Sequence, residues 1–183
     1  MTGSLVVLTG PMFSGKSSRL ITRVRLAEIE GFKVRAFKPV TDTRNTDSWI
    51  HSHNNEKIPA EFIERDGTGL PTTPGVELLA IDEAQFLLDS AVPRILDLVR
   101  QGTRIIAAGL DLDAFGRPFG NLPMLMAFAN EVVKLTGKCA KCPSPSTRSH
   151  RLVRSTTDAT ILVGGAETYE PRCLPCFDPN GGA

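Results

Sequence analysis

The stretch Thr9–Ser18, TGPMFSGKSS, decides the fold. Read from Gly10 it has the form G-x-x-x-x-G-K-[ST], with Gly10, Gly15, Lys16 and Ser17 at the fixed positions and Pro11, Met12, Phe13 and Ser14 between them. Glycines in such a loop let successive backbone N–H groups face phosphate oxygens, and the helix that follows presents its positive end to the same anion. Lys16 is then placed to bridge the β- and γ-phosphates and the Ser17 hydroxyl to ligate Mg²⁺. The pattern carries this meaning only between a strand and a helix, and the flanks supply both. Ser4–Gly10, SLVVLTG, is a short β-branched run, and KSSRLITRVRLAEIEG places Leu20, Val24, Ala27 and Ile29 close to helical spacing before Gly31 stops it.

Further along, FKVRAFKP reads as a strand closed by Pro39, VELLAIDEAQF as a buried strand over Val76–Ile81, and TRIIAAGL as another. Ala91–Gln101 is predicted helical, NLPMLMAFAN a short helix and EVVKLT one more strand. This alternation predicts an α/β fold, a P-loop NTPase-type parallel sheet flanked by helices. Thr41–Pro74, with Trp49, two histidines and several glycines and prolines, gives no firm assignment. From about Thr136 the composition shifts to Pro, Ser and Cys. The expected organisation is therefore a nucleotide-binding domain over 1–135 and a small C-terminal subdomain over 136–183.

The chain has 183 residues, 41% of them hydrophobic, which suits one globular domain with a small appendage. Lys and Arg number 21 against 20 acidic residues, a formal charge of +1, so no overall field points to nucleic acid or an anionic membrane. No apolar run approaches the ~20 residues of a membrane span, and Met1–Thr9 lacks the features of a signal peptide. A cytoplasmic protein is expected. Its four cysteines, Cys139, Cys142, Cys173 and Cys176, form two C-x-x-C pairs. In a reducing compartment that spacing suits structural Zn²⁺ held by four thiolates, the other readings being disulfides or redox dithiols. His51 and His53, in HSH, suit a solvated loop or, less well, a metal.

Asp82 and Glu83 follow the buried strand at the end where open parallel sheets place their ligand crevices. Two acids there can cap a helix. Beside a phosphate loop, Asp82 fits a Mg²⁺ role and Glu83 a general base reaching an incoming hydroxyl. Asp42 and Arg44, in KPVTDTR, lie at the same edge, where a polar turn is the simplest reading.

Taken together and in order, GPMFSGKSS, DTR, IDEAQF, GLDLDAFGRPFG, VVKLTGKCAKC and VGGAETYEPRCLPC resemble the type II thymidine kinases, the cytosolic, zinc-containing, tetrameric kind, over residues 4 to 177. The resemblance implies transfer of the γ-phosphoryl group of ATP to the 5′-hydroxyl of thymidine in nucleotide salvage. It implies Glu83 as general base, Asp82 and Ser17 on Mg²⁺, Arg44 near the transferring phosphoryl and Asp42 on the sugar hydroxyl. The loop between the cysteine pairs would cover the base through main-chain groups of Leu162, Val163, Gly164 and Gly165 beside Tyr169, with Met12, Phe86, Leu110 and Phe119 walling the pocket. A homotetramer and feedback inhibition by dTTP are further implications. Ala114 stands where the family often has phenylalanine, with Phe115 one place later, and Ser149 where threonine is common near the base methyl. The rival reading from another class is a P-loop ATPase whose zinc module binds nucleic acid through Lys138, Lys141, Arg148, Arg151 and Arg154.

Overall fold

In the computed structural model, residues 2–41, 47–72, 75–152 and 164–179 are described. Asp42, Arg44, Leu162 and Val163 lie outside them. Six strands form one sheet: β1 (Ser4–Thr9), β2 (Val34–Pro39), β5 (Glu61–Ile63), β6 (Leu78–Ile81), β7 (Arg104–Gly109) and β8 (Glu131–Lys134), in the order β5-β2-β6-β7-β1-β8. Every pairing among them is parallel. Helix α1 (Lys16–Ile29) connects β1 to β2, α2 (Ala91–Arg100) connects β6 to β7, and α3 (Leu122–Phe128) leads into β8. Two short strands, β3 (Trp49–His51) and β4 (Lys57–Pro59), make an antiparallel hairpin outside the sheet.

Alternation along the strands divides the core between the two faces. Leu5 and Val7 of β1, with Leu79, Ile81, Ile105 and Ala107, pack on Ala91, Ile95 and Leu98 of α2 and on Leu122 and Leu125 of α3. Leu8, Ala80, Ile106 and Ala108 pack on Leu20, Ile21, Val24 and Ala27 of α1, and Ile50 and Ile58 of the hairpin complete that layer. Both expected helices and all five expected strands of the sheet occur, as does the short helix at α3. The segment left unassigned contains β3, β4 and β5, three residues each, too short for a period of two to register.

Beyond β8 the chain forms two small ladders. Strand β9 (Gly137–Lys138) pairs with β10 (Pro145–Ser146), and β11 (Arg148–Arg151) with β12 (Tyr169–Arg172). Each cysteine pair sits at the end of one ladder. Among the described residues no helix is long and apolar enough to cross a membrane.

Candidate active site

The phosphate loop joins β1 to α1 at the C-terminal edge of the sheet. Gly10 has φ 139°, and a side chain there would strike the carbonyl of Leu135, so only glycine lets β1 run this close to the end of β8. Gly15, left-handed at φ 83°, turns the chain into the first residue of α1. The buried Lys16 folds back so that its Nζ donates to the Pro11 carbonyl at 2.7 Å. Ser17 Oγ donates to Asp82 Oδ2 at 3.0 Å, although β7 separates β1 from β6 in the sheet. The start of α1 and the end of β6 thus meet above that strand.

Glu83 has φ 51° and ψ 38°, a left-handed conformation rare for a glutamate, which costs roughly 1–3 kcal/mol and persists only where its surroundings enforce it. Its Oε2 accepts a hydrogen bond from Gln85 Nε2 at 2.5 Å. Asp82 and Glu83 therefore turn to different tasks, Asp82 toward Ser17 and Glu83 toward Gln85. Both line a cleft of about 230 Å³ together with Met12, Phe13, Ser17 and Lys38. The hairpin residues Trp49–His53 form one wall of it, and Gly164 and Gly165 face it from the turn that precedes β12. A recess of about 50 Å³ lined by Gly15, Lys16, Ser18 and Leu110 adjoins it, with Met12, Phe13, Ser17, His53 and Glu83 shared by both.

Phe86, Phe119, Ser149 and Tyr169, the other expected pocket residues among those described, are not among the residues that line this cleft or the recess. Phe86 and Phe119 pack edge to face with ring centroids 5.8 Å apart. Tyr169 is buried at the start of β12. The Ser149 hydroxyl accepts the Met12 N–H at 2.9 Å, tying β11 to the phosphate loop. Phe115 lies 5.2 Å from the guanidinium groups of both Arg117 and Arg151, and Ala114 beside it is buried. At the cleft edge Glu167 Oε1 accepts the Gly165 N–H at 2.6 Å, and that bond holds its carboxyl below the usual range.

Several cleft residues carried no sequence signal of their own. Lys38 reads as part of a strand, yet its side chain is only 2% exposed, with Nζ donating to the Trp49 carbonyl at 3.0 Å and 3.6 Å from Asp47 Oδ1. His51 bonds Asp47 Oδ2 at 2.7 Å, and the His53 ring lies 5.0 Å from that of Phe13. Neither histidine joins the cysteines. Gln85 could have been suspected from its place two residues after Glu83, but the sequence says nothing of where its amide points.

The four cysteines are unbridged and their sulfurs lie within 4.8 Å of one another. Cys142 Sγ is 3.5 Å from Cys173 Sγ and 3.8 Å from Cys176 Sγ. Four thiolates at ~2.3 Å from one Zn²⁺ in a tetrahedron stand about 3.8 Å apart, so the donor set fits that ion. The Lys141 N–H points at Cys139 Sγ, 3.4 Å away. Burial alone would raise the Cys139 thiol, but backbone N–H groups of Cys173, Lys141 and Cys142 bring it down to about 6. The neighbouring Cys173 and Cys142 sulfurs push Cys176 up to about 12. Four clustered sulfurs do not all ionise without a cation to share.

His150, on β11 behind this cluster, is buried against Phe177 at a centroid distance of 6.0 Å. Burial, and then the charge of Arg172, hold its pKa below the ordinary 6.5. The unfolded chain therefore takes up the proton first, and stability is present above that ordinary value and lost as pH falls through it. Replacing His150 by Phe is expected to flatten this dependence. Melting temperatures of variant and parent from about pH 8 to about pH 5.5 check it, and parallel curves refute it.

Of the basic residues offered for a nucleic-acid face, Lys138 and Lys141 are exposed, Arg154 lies outside the described residues, and Arg148 and Arg151 are turned into the fold. Arg151 is 6% exposed beneath Phe115, Lys141 lies 3.8 Å from Glu170, and Arg148 donates to the Thr147 carbonyl.

Comparison with known proteins agrees with this geometry. The family model described as thymidine kinase matches residues 3–177. A thymidine kinase of Coprothermobacter proteolyticus is 43% identical over 175 residues, 93% of this chain and 88% of the relative. One of Bacteroides thetaiotaomicron is 38% identical over 175 residues, covering 96% and 87%. With that match over nearly the whole chain, and with its phosphate loop, Ser17–Asp82 pair and four-cysteine cluster in place, the chain belongs to the thymidine kinase family.

Proposed function

We propose that the protein transfers the γ-phosphoryl group of ATP to the 5′-hydroxyl of thymidine, giving dTMP in nucleotide salvage. The observation that carries this is the single cleft in which Ser17, Asp82 and Glu83 meet, faced by Gly164 and Gly165. Phosphoryl transfer asks chiefly for positioning and charge neutralisation. Backbone N–H groups of Gly10–Ser17 would cradle the phosphates, with Lys16 exchanging the Pro11 carbonyl for the β- and γ-phosphates. Ser17 and Asp82 would hold Mg²⁺, which when bound neutralises charge on the transferring group. Glu83 would take the proton of the 5′-hydroxyl, with Arg44 beside the phosphoryl and Asp42 on the sugar. Main-chain groups of residues 162–165 would grip the base, walled by Met12, Leu110, Phe86, Phe119, Ser149 and Tyr169, and would exclude the water that otherwise hydrolyses ATP. The four cysteines would hold Zn²⁺, fixing the fold of the 136–183 module against the 1–135 domain. A cytoplasmic homotetramer inhibited by dTTP completes the reading.

A screen of phosphate transfer from ATP to the four deoxynucleosides and deoxyuridine tests it. Thymidine is expected to be the preferred acceptor. ATP hydrolysis that responds to DNA and not to any nucleoside would instead establish the nucleic-acid-binding ATPase. In the same screen Lys16→Ala is expected to lower transfer by about 10²–10³-fold with every accepted nucleoside alike, because the ammonium acts on phosphates and not on the base. A strongly altered ratio of thymidine to deoxyuridine in that variant contradicts the assignment.

A further inference from the structure

Gln85 is buried at 2% exposure in the short helical turn after Glu83, and both ends of its amide are engaged. The Leu110 N–H donates to Oε1 at 3.1 Å, while Nε2 donates to Glu83 Oε2 at 2.5 Å. A backbone N–H can only donate, so the amide orientation is set: its oxygen faces Leu110 and its NH₂ faces the carboxylate. Two glycines make room for this arrangement. A Cβ on Gly109 would strike Gln85 Oε1, and one on Gly120, which sits at φ 54°, would strike the Gln85 carbonyl. The loop from Gly109 to Gly120 is thus shaped around Gln85, and Leu110 within it lines the recess beside the phosphate loop.

From this geometry we infer that Gln85 is a positioning residue, whose amide aims the Glu83 carboxylate into the cleft and locks it to the Leu110 wall of the pocket. The inference rests on Glu83 being the base. A carboxylate whose Oε2 is occupied by an N–H donor presents Oε1 in one direction, and the donor favours its ionised form. Because the same amide holds Leu110, base and pocket wall move as one unit.

Gln85→Glu tests the polarity of this contact. One oxygen of the new carboxyl can still accept the Leu110 N–H, but the other meets Glu83 Oε2, and two carboxylates at that distance share a proton. The other titratable groups around the cleft, Asp82, Lys16, Lys38, His51 and His53, are the same in variant and parent. The acid limb of the single-turnover rate against pH is therefore expected to move up by about one unit or more. Gln85→Met, which keeps the bulk and loses both bonds, is expected to lower kcat by about 10–100-fold with the KM for ATP little changed. A folded Gln85→Glu with its limb at the parental pH overturns the inference. So does Gln85→Met with parental kcat, which serves where the first variant does not fold. Glu83→Gln measured alongside separates the two failures: parental turnover there removes the base itself, whereas a dead Glu83→Gln with an unmoved limb in Gln85→Glu removes only the role of Gln85.

Discussion

Glu83→Gln is expected to lower kcat by ~10²–10⁴-fold while ATP binds almost as in the parent. The substitution keeps the size and planarity of the side chain, so the left-handed turn at Glu83 and the cleft wall need not rearrange. What it removes is the carboxylate proposed to accept the 5′-hydroxyl proton. It also sets an amide against the Gln85 amide where a carboxylate had accepted, so that only a rotated side chain avoids opposing N–H groups. ATP should notice little, because the phosphates are assigned to Gly10–Ser17, and Asp82, not Glu83, contacts Ser17. Turnover and an equilibrium measurement of ATP binding on the same preparation check both halves. Near-parental turnover would take Glu83 out of the reaction.

Loss of zinc is expected to raise the KM for thymidine by about 10²-fold, the cost of misplacing a binding group by ~1 Å. Cys173→Ser or a strong chelator should both do so. The segment between Arg151 and Tyr169 leaves and returns through a ladder of only four residue pairs, β11 with β12. Two strands that short are marginal by themselves. Their base is held by Ala140 N–H to the Pro171 carbonyl at 2.8 Å, by Thr147 N–H to the Arg172 carbonyl at 2.9 Å, and by the four sulfurs just beyond. A metal there closes a long loop that few apolar contacts could close. The KM for ATP should rise much less, since β11 is tied to the phosphate loop by the Ser149–Met12 hydrogen bond, worth about 1 kcal/mol. Circular dichroism should still report the α/β core, whose two apolar layers include none of the cysteines. Both KM values and the zinc content are to be measured together. Zinc-free enzyme with parental thymidine affinity would refute the coupling.

The sequence by itself determined the phosphate loop, the strand before it and the helix after it, the acids ending a buried strand, and the paired cysteines. Each is a pattern confined to a few adjacent residues or to one repeated spacing, and such patterns impose their geometry locally. The sequence paired Asp82 with Ser17 in role, but only the tertiary structure brings the two into direct contact at 3.0 Å across sixty-five residues, because β6 lies one strand removed from β1 in the sheet. The tertiary structure also decided that Ser149 accepts the Met12 N–H, that Lys38 is buried beneath the β3–β4 hairpin, and that Gln85 stands between Glu83 and Leu110. A serine, a lysine or a glutamine has the same letter whether it faces solvent or a buried carboxylate. Which it does depends on strand order and crossover packing, and these are set by how two apolar faces are covered at once, not by the spacing of any one segment.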